Sequence, residues 1–241
     1  MNAMSTHIVA LGGGGFSMAP NSAPTSLDRY LVDLSGQRSP LVCFVPTASA
    51  DSAPYINRFL MAYSGLGVRT MVLTLWQGAA ESVKRLPEAD VVLVGGGNTV
   101  NMLALWDAHG VSRTLRMMAS DSSRTMVLGG LSAGGACWFE GCLTDAFGDL
   151  RGWRGGLGML SGSFCPHLDG EDRGAIYTQA IATGVLPGGY AVDDGVAVHF
   201  ENGKYTDVLA EREGPTALRL MPSSEPTASG VLTEILEPEV L

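Results

Sequence analysis

Short, continuous apolar segments alternate with helix-like segments over the first half of the chain, and this alternation constrains the fold most strongly. The apolar segments are residues 7–11, 41–45, 69–75, 90–95 and 125–130. The segments with apolar side chains at helical spacing are residues 26–34, 55–65, 99–110 and 111–120. Continuous hydrophobicity is typical of parallel strands that are covered on both faces. We therefore predict an α/β fold with a doubly wound, mostly parallel sheet flanked by helices.

The pattern changes after about residue 185, where short extended runs are joined by turn-forming residues. Asn202-Gly203 is a strong signal for a β-hairpin. We expect a β-rich C-terminal portion that pairs with the edge of the sheet. Because the sequence shows no Pro/Ser-rich linker, internal repeat or low-complexity tract, we predict a single domain over residues 1–241.

Composition excludes several classes of function. The 241 residues are 46% hydrophobic and 16% charged, which is typical of a compact protein with a substantial core. The net charge of −9 and the scattered basic residues argue against binding to nucleic acids or anionic membranes. We find neither an apolar run of about 18 residues nor a signal-peptide pattern, so we expect a cytoplasmic protein without a membrane span.

Cysteine and histidine spacing predicts neither disulfides nor a metal site. No C-x-x-C pair occurs among Cys43, Cys137, Cys142 and Cys165, and we expect reduced, partly buried thiols. No metal-ligand spacing occurs among His7, His109, His167 and His199. We therefore expect no metal and no cofactor.

Two glycine-rich loops follow apolar segments. Gly12–Gly15 does not open into a helix as a dinucleotide-binding loop does, and we interpret it as a tight turn at the carboxyl edge of the sheet. Gly95–Gly97 comes before Asn98 and Thr99, either of which could cap a helix. The backbone amides of this second loop could bind an oxyanion, or its glycines could simply permit a turn.

Ser132 lies at the centre of Gly130-Leu131-Ser132-Ala133-Gly134, which matches the G-x-S-x-G pattern of a nucleophile elbow. The pattern needs a strand that turns sharply into a helix, and the flanking glycines remove Cβ atoms that would clash. The sequence supplies this context, with an apolar run before Ser132 and a helix-like segment after it. Ser132 is therefore a candidate nucleophile, and a structural turn is the alternative.

A serine nucleophile needs a base, and the base needs an orienting acid. His167 is the best candidate base, because it lies in a polar loop just beyond an apolar segment; a solvated loop histidine is the alternative. The candidate acids are Glu140, Asp145, Asp149, Asp169, Asp193 and Asp194. Asp145 gives the chain order Ser, Asp, His, whereas Asp194 ends a predicted strand.

Several segments together resemble the peptidase E (dipeptidase E) and cyanophycinase superfamily of serine peptidases. These are VGGGNT, GLSAGGACWFEG, the isolated PH before an acidic loop, PTASAD and VDDGVAVHF. The resemblance covers about residues 7–210. It implies a fold similar to class I glutamine amidotransferases, with a serine in place of their elbow cysteine.

The resemblance also implies roles for individual residues. Ser132 would be the nucleophile and His167 the general base. The position after the elbow helix favours Asp145 as the third member. The acid matching Asp194 also lies near the histidine in relatives, so the resemblance includes a tetrad in which both acids support His167. The amides that would bind the oxyanion are those of Gly97 and Ala133.

Substrate preference stays open at this point. Relatives that resemble dipeptidase E cleave N-terminal aspartyl dipeptides, and an arginine shortly after the elbow is expected to hold the substrate carboxylate. Residues 136–149 contain no arginine, and Glu140 within them could instead favour a cationic or amine group. The substrate-binding candidates are Asn98, Glu140, Arg151 and Arg154.

We therefore predict a serine exopeptidase or dipeptidase that acts on short peptides through a Ser-His-Asp triad or tetrad, with a preference for an N-terminal Asp left open. The alternatives are an amidase, an esterase or a cyanophycinase on the same scaffold, or a catalytically silent peptide-binding homologue. The expected partner is a short peptide. A homodimer is an open alternative, since Trp138 and Phe139 could pack in the core or at an interface, with the core favoured.

Overall fold

The computed structural model describes residues 4–223 and 229–241. The strands are β1 Thr6–Leu11, β2 Leu41–Val45, β3 Arg69–Val72, β4 Val91–Val94, β5 Met126–Leu131, β6 Phe139–Thr144, β7 Arg151–Arg154, β8 Leu160–Pro166, β9 Gly189–Val192, β10 Val196–Glu201, β11 Lys204–Ala210, β12 Ala217–Pro222, β13 Val231–Leu236 and β14 Glu239–Val240. The α-helices are α1 Ser26–Asp33, α2 Ala53–Ser64, α3 Ala79–Arg85, α4 Thr99–His109, α5 Val111–Ala119, α6 Ala133–Ala136 and α7 Arg173–Ala182.

In the described part of the chain the strands form two sheets. The first has eight strands in the order β14-β11-β10-β1-β5-β4-β2-β3, and β1, β5, β4, β2 and β3 are mutually parallel. Successive side chains of β1 enter different cores: Val9 packs with Leu27 and Phe59 of α1 and α2, whereas Ile8 packs with residues of α4 and α5. Helices therefore cover both faces, and the predicted parallel α/β arrangement is confirmed.

The C-terminal portion extends this sheet at the β1 edge, as predicted. β10 pairs antiparallel with β1, and β11 pairs antiparallel with β10. The turn between β10 and β11 consists of Asn202 and Gly203, with φ values of 50° and 75°. Two successive positive φ values are what a two-residue hairpin turn requires, and Asn and Gly tolerate them best.

The second sheet was not predicted. Its order is β13-β12-β9-β8-β6-β7, so it combines strands on both sides of α7 in the sequence. A separate core lies between this sheet and α7, with Leu143 and Cys165 from the strands and Tyr177 and Ile181 from the helix. This sheet matters for the site because the residues that follow β8 and β9 lie against the loop after β1.

Several smaller predictions are also resolved. The four cysteines are free thiols, as expected, and they are fully rather than partly buried. Trp138 and Phe139 are both fully buried in the core, so they do not form an interface. Among the described residues, none of the helices has the length and hydropathy needed to cross a bilayer.

Candidate active site

The carboxyl ends of three neighbouring parallel strands meet at one edge of the first sheet. Gly12–Gly15 follows β1, Gly95–Gly97 follows β4, and Ser132 follows β5. This edge is where α/β sheets usually bind ligands, because the loops leaving adjacent strands diverge there.

The backbone of Ser132 has an unusual conformation that its flanking glycines make possible. Its φ and ψ are 54° and −112°, between the end of β5 and the start of α6. A Cβ on Gly130 would lie 2.0 Å from the carbonyl oxygen of Gly134, and a Cβ on Gly134 would lie 2.2 Å from that of Val94. Both positions therefore require glycine. This is the sharp strand-to-helix turn that the sequence pattern predicted.

Ser132, His167 and Asp194 form a continuous chain of hydrogen bonds. His167 Nε2 lies 2.8 Å from Ser132 Oγ, and His167 Nδ1 lies 2.5 Å from Asp194 Oδ1. His167 follows β8 and Asp194 follows β9, so the second sheet delivers both side chains to the end of the first. With the proton on Nδ1, His167 donates to the carboxylate and accepts from the serine hydroxyl.

Asp145 does not occupy the position that the sequence analysis favoured for it. It lies in the turn after β6, its side chain is 67% exposed, and its carboxylate is 3.9 Å from the guanidinium of Arg173. Among the described residues, the carboxylate bonded to His167 is that of Asp194. The expectation that Asp145 contacts His167 is therefore corrected: the turn after β6 points Asp145 towards α7, and chain order did not reveal this.

Hydrogen bonds hold the segment that carries Asp194. The Asp194 amide donates to Asp169 Oδ1 at 3.3 Å, and the neighbouring Asp193 carboxylate accepts from the Thr216 amide at 2.7 Å. Burial raises the pKa of Asp193, and the nearby carboxylates of Asp169 and Asp194 raise it further. The Asp193 side chain thus fixes the backbone of this segment, and the Asp194 side chain contacts His167.

Gly97 lies on the loop after β4, and Ala133 is the first residue of α6, directly after Ser132. Gly97 has φ 139°, and a Cβ there would lie 2.2 Å from the carbonyl oxygen of Ala48, so the loop requires glycine. The next amide, of Asn98, donates to the same carbonyl at 2.8 Å. In the part of the chain that the structure describes, neither the Gly97 nor the Ala133 amide has an acceptor within the protein. Gly97 also lines the cavity that contains Ser132, and Ala133 directly follows that serine in the chain.

Asn98 and Glu140, two of the predicted substrate-binding residues, have other surroundings. The Asn98 side chain caps α4 by accepting from the Asn101 amide at 2.9 Å, and it donates to the Ala146 carbonyl at 3.2 Å. Glu140 is exposed on β6. Within the described chain, neither residue lines the cavity that contains Ser132.

Arg151 and Arg154 are likewise engaged elsewhere. The Arg151 guanidinium lies 4.1 Å from the centre of the Phe147 ring. Arg154 donates to the carbonyls of Gly184 and Val185 at 2.9 and 2.8 Å, beyond the end of α7. Of the described residues that line the Ser132 cavity, neither arginine is one. The expectation that they bind substrate there is corrected, because β7 lies at the far edge of the second sheet.

Sequence reasoning missed one wall of the cavity. The cavity has a volume of about 460 Å³ and is lined by Ser132, His167, the first glycine loop, and Tyr55 and Arg58 of α2. A Cβ on Gly13 would lie 2.0 Å from Asp194 Oδ1, so this loop supports the hydrogen-bond chain directly. The position of this loop after the first parallel strand is the signal in the sequence for this role, and interpreting the loop as a turn alone misses it.

Within residues 4–223 and 229–241, no group of three or more His, Cys, Asp or Glu side chains is arranged to hold a metal ion.

Comparison with known proteins identifies the family. The model of peptidase family S51 matches residues 8–208. The chain is 44% identical over 216 residues to the uncharacterized peptidase YgaJ of Bacillus subtilis (strain 168), covering 89% of this chain and 91% of that protein. A crystal structure of a candidate peptidase E protein from Listeria monocytogenes EGD-e superimposes with a TM-score of 0.59 and 16% identity, covering 86% of this chain and 98% of that one. The likeness to class I glutamine amidotransferases stays a prediction. The chain belongs to peptidase family S51.

Proposed function

We propose that this peptidase is a serine-type exopeptidase, a dipeptidase, that hydrolyses short peptides through Ser132, His167 and Asp194. The observation that carries the proposal is the hydrogen-bond chain from Ser132 Oγ through the imidazole to Asp194, with distances of 2.8 and 2.5 Å. It joins a nucleophile, a base and an orienting acid in the order that acyl transfer needs.

Each group has a defined part in the reaction. Ser132 Oγ attacks the carbonyl carbon of the substrate while His167 Nε2 accepts the hydroxyl proton. Asp194 holds the imidazole in the correct tautomer and stabilises its positive charge. The proton then passes from Nε2 to the leaving amine, and water releases the acyl group by the same steps.

The amides of Gly97 and Ala133 would stabilise the negative charge that develops on the carbonyl oxygen. They suit this role because their N–H groups lack acceptors among the described residues and because the Gly97 loop is sterically locked against Ala48. A donor that is already fixed in place does not have to reorganise as the charge forms.

The size of the cavity supports a short substrate. Its volume of about 460 Å³ lies within the range of about 300–1,000 Å³ that is typical of small-molecule sites. An N-terminal Asp remains one candidate specificity within this proposal, and a dipeptide panel must include Asp-X members.

The test compares wild type with Ser132→Ala on a dipeptide panel, with Ser122→Ala, at an exposed serine, as the matched control. We expect Ser132→Ala to lower kcat/KM by at least about 10³-fold. Equal activity of the two proteins would remove Ser132 from the mechanism. A serine-directed fluorophosphonate probe should label wild type and not Ser132→Ala.

Other outcomes identify the alternatives. Hydrolysis of esters or simple amides without hydrolysis of peptides would indicate an esterase or amidase. A folded wild-type protein that binds peptides but is not labelled by the probe would indicate a silent binding homologue.

A further inference from the structure

Arg58 is a charged residue of the Ser132 cavity that the proposed mechanism does not use. It lies on α2 and lines the same cavity of about 460 Å³ as Ser132 and His167. The sequence analysis did not select it, because it is distant in sequence from the elbow and has no motif around it.

The segment directly after the first glycine loop holds the Arg58 guanidinium in place. Nη2 donates to the carbonyl oxygens of Phe16 and Ala19, at 3.4 and 3.1 Å. Both acceptors are neutral, so they orient the side chain without compensating its charge. A guanidinium that is already oriented loses less conformational entropy when it binds a ligand.

The charge of Arg58 has no carboxylate partner among the residues that the structure describes. Within the described ranges, no Asp or Glu oxygen lies within 4.0 Å of its nitrogens. Its buried Nε also lacks an acceptor there. None of the described residues that line the cavity is acidic. A partly buried, unpaired charge is costly, and a ligand carboxylate would offset that cost.

A carboxylate is the ligand that best matches this group. The guanidinium presents adjacent N–H donors in a planar fork, which fits the two oxygens of a carboxylate. Because Arg58 and Ser132 line one cavity, a single small molecule can contact both.

We propose that Arg58 is a specificity-determining residue that binds a carboxylate of the substrate while Ser132 attacks a nearby amide. The inference rests on the proposed function, and it names the substrate class as peptides with a carboxylate close to the scissile bond. That carboxylate belongs either to an acidic side chain of the residue that acylates Ser132 or to the C-terminus of the leaving residue. Both sources present the same chemistry to Arg58.

Two matched substrate pairs test the proposal and separate the sources. Aspartyl and asparaginyl p-nitroanilide differ in a side-chain carboxylate, whereas Ala-Ala and its C-terminal amide differ in the main-chain carboxylate. Wild type should prefer the carboxylate member of one pair by about 10- to 100-fold in kcat/KM, the range of a charge-assisted hydrogen bond. The pair that shows the preference identifies the source.

Variants then assign the preference to Arg58. Arg58→Gln should reduce the ratio to less than about threefold, and Arg58→Lys should retain part of it. Arg113→Gln, at an exposed arginine of α5, is the matched control and should keep the full ratio. A purely structural role in holding Phe16 and Ala19 would lower both members of a pair alike. Ratios near one in wild type, or a ratio that persists in Arg58→Gln, would overturn the proposal.

A binding measurement distinguishes failure of this inference from failure of the proposed function. In the Ser132→Ala protein, calorimetry should show about tenfold tighter binding of the carboxylate member, and Arg58→Gln added to it should abolish the difference. If wild type hydrolyses no peptide but this difference holds, the role of Arg58 stands and the peptidase mechanism fails. If wild type hydrolyses peptides without an Arg58-dependent ratio, the mechanism stands and the inference fails.

Discussion

Two hydrogen-bonded chains that each contain a Ser–His pair lie at opposite ends of β1. The cavity chain consists of Ser132, His167 and Asp194. The buried chain consists of Ser5, His7, His199 and Tyr30. In the buried chain the distances are 2.7 Å from Ser5 Oγ to His7 Nε2, 3.0 Å between the two imidazoles and 2.9 Å from His199 Nδ1 to the Tyr30 hydroxyl. By distance alone, the Ser5–His7 pair is as close as the Ser132–His167 pair.

The difference between the chains shows what a Ser–His contact needs before it can act as a nucleophile and base. In the cavity chain the second imidazole nitrogen meets a carboxylate, which stabilises the protonated ring. In the buried chain, the second nitrogen of the serine-bonded histidine, His7, meets another imidazole, that of His199. Burial lowers the pKa of both His7 and His199. Ser132 and His167 both line a cavity of about 460 Å³, and the amides of Gly97 and Ala133 lie nearby. Ser5 lines a cavity of only about 100 Å³, whose described lining does not include His7.

The largest expected effect comes from removing the carboxylate that distinguishes the cavity chain. Asp194→Asn should lower kcat by about 10³- to 10⁴-fold, because the amide no longer stabilises the protonated imidazole or fixes its tautomer. Steady-state kinetics on the best dipeptide measures this. Asp145→Asn is the control and should cost less than about tenfold. The reverse ranking would return the orienting role to Asp145 and break the comparison.

The next prediction concerns the glycine loop that makes room for the cavity chain. In Gly13→Ala the added Cβ would lie 2.0 Å from Asp194 Oδ1 and 2.8 Å from His167 Cε1, so the imidazole must shift. Misplacing a catalytic group by about 1 Å can cost about 10²-fold in rate, and we expect a fall in kcat of that size. Gly65→Ala is the control, since its Cβ would meet only an ordinary contact at 3.7 Å. Unchanged kcat in Gly13→Ala would show that the loop does not support the chain.

Local sequence patterns predicted the parts of this molecule that depend on neighbouring residues. The parallel strands and the helices α1, α2, α4 and α5 lie close to their predicted bounds, because each carries its own hydrophobic period. Ser132 is predicted as a candidate nucleophile for the same reason. The glycines that the turn requires on both sides lie within five consecutive residues. His167 was selected from its loop context.

The parts that sequence reasoning missed depend on contacts between distant segments. The choice between Asp145 and Asp194 depends on where β6 and β9 end in the second sheet, and no local pattern encodes that sheet. Arg58 enters the cavity only because α2 packs beside the loop after β1. A single sequence contains no signal that pairs such segments, so chain order favoured Asp145, whereas the resemblance also indicated Asp194, the carboxylate that contacts His167.

The buried chain should affect stability rather than catalysis, in a pH-dependent manner. Burial, and then the neighbouring His7, lower the pKa of His199 to about 4 in the folded protein, although Asp207 and Glu201 oppose the shift. The unfolded pKa is about 6.5. Because the folded pKa is the lower one, the stabilising contribution is complete above about pH 6.5 and is lost as the pH falls towards 4. Between pH 7.5 and 5 the loss is about 2 kcal/mol.

Urea unfolding of wild type and His199→Gln at the two pH values checks this prediction. The unfolding free energy of the variant should fall by about 2 kcal/mol less than that of wild type between pH 7.5 and 5. Its kcat/KM at pH 7.5 should stay within about threefold of wild type. His109→Gln, at an exposed histidine, is the control and should follow wild type. An identical pH dependence in wild type and His199→Gln would exclude the buried chain as its source.

The smallest expected effect is that of Ser5→Ala. It gives the most direct comparison of the two chains, because Ser132→Ala is the same substitution in the cavity chain. Ser5 is 7% exposed, and its hydroxyl is bonded to His7 at 2.7 Å. Ser5→Ala should therefore cost about 1 kcal/mol of unfolding free energy, as for the loss of one buried hydrogen bond, and should leave kcat/KM within about twofold. Urea unfolding and dipeptide kinetics measure the two quantities on one preparation. If Ser5→Ala instead lowered activity as Ser132→Ala does, the two chains would be coupled along β1. The carboxylate and the large cavity beside Ser132 would then not explain why one chain is catalytic and the other is not.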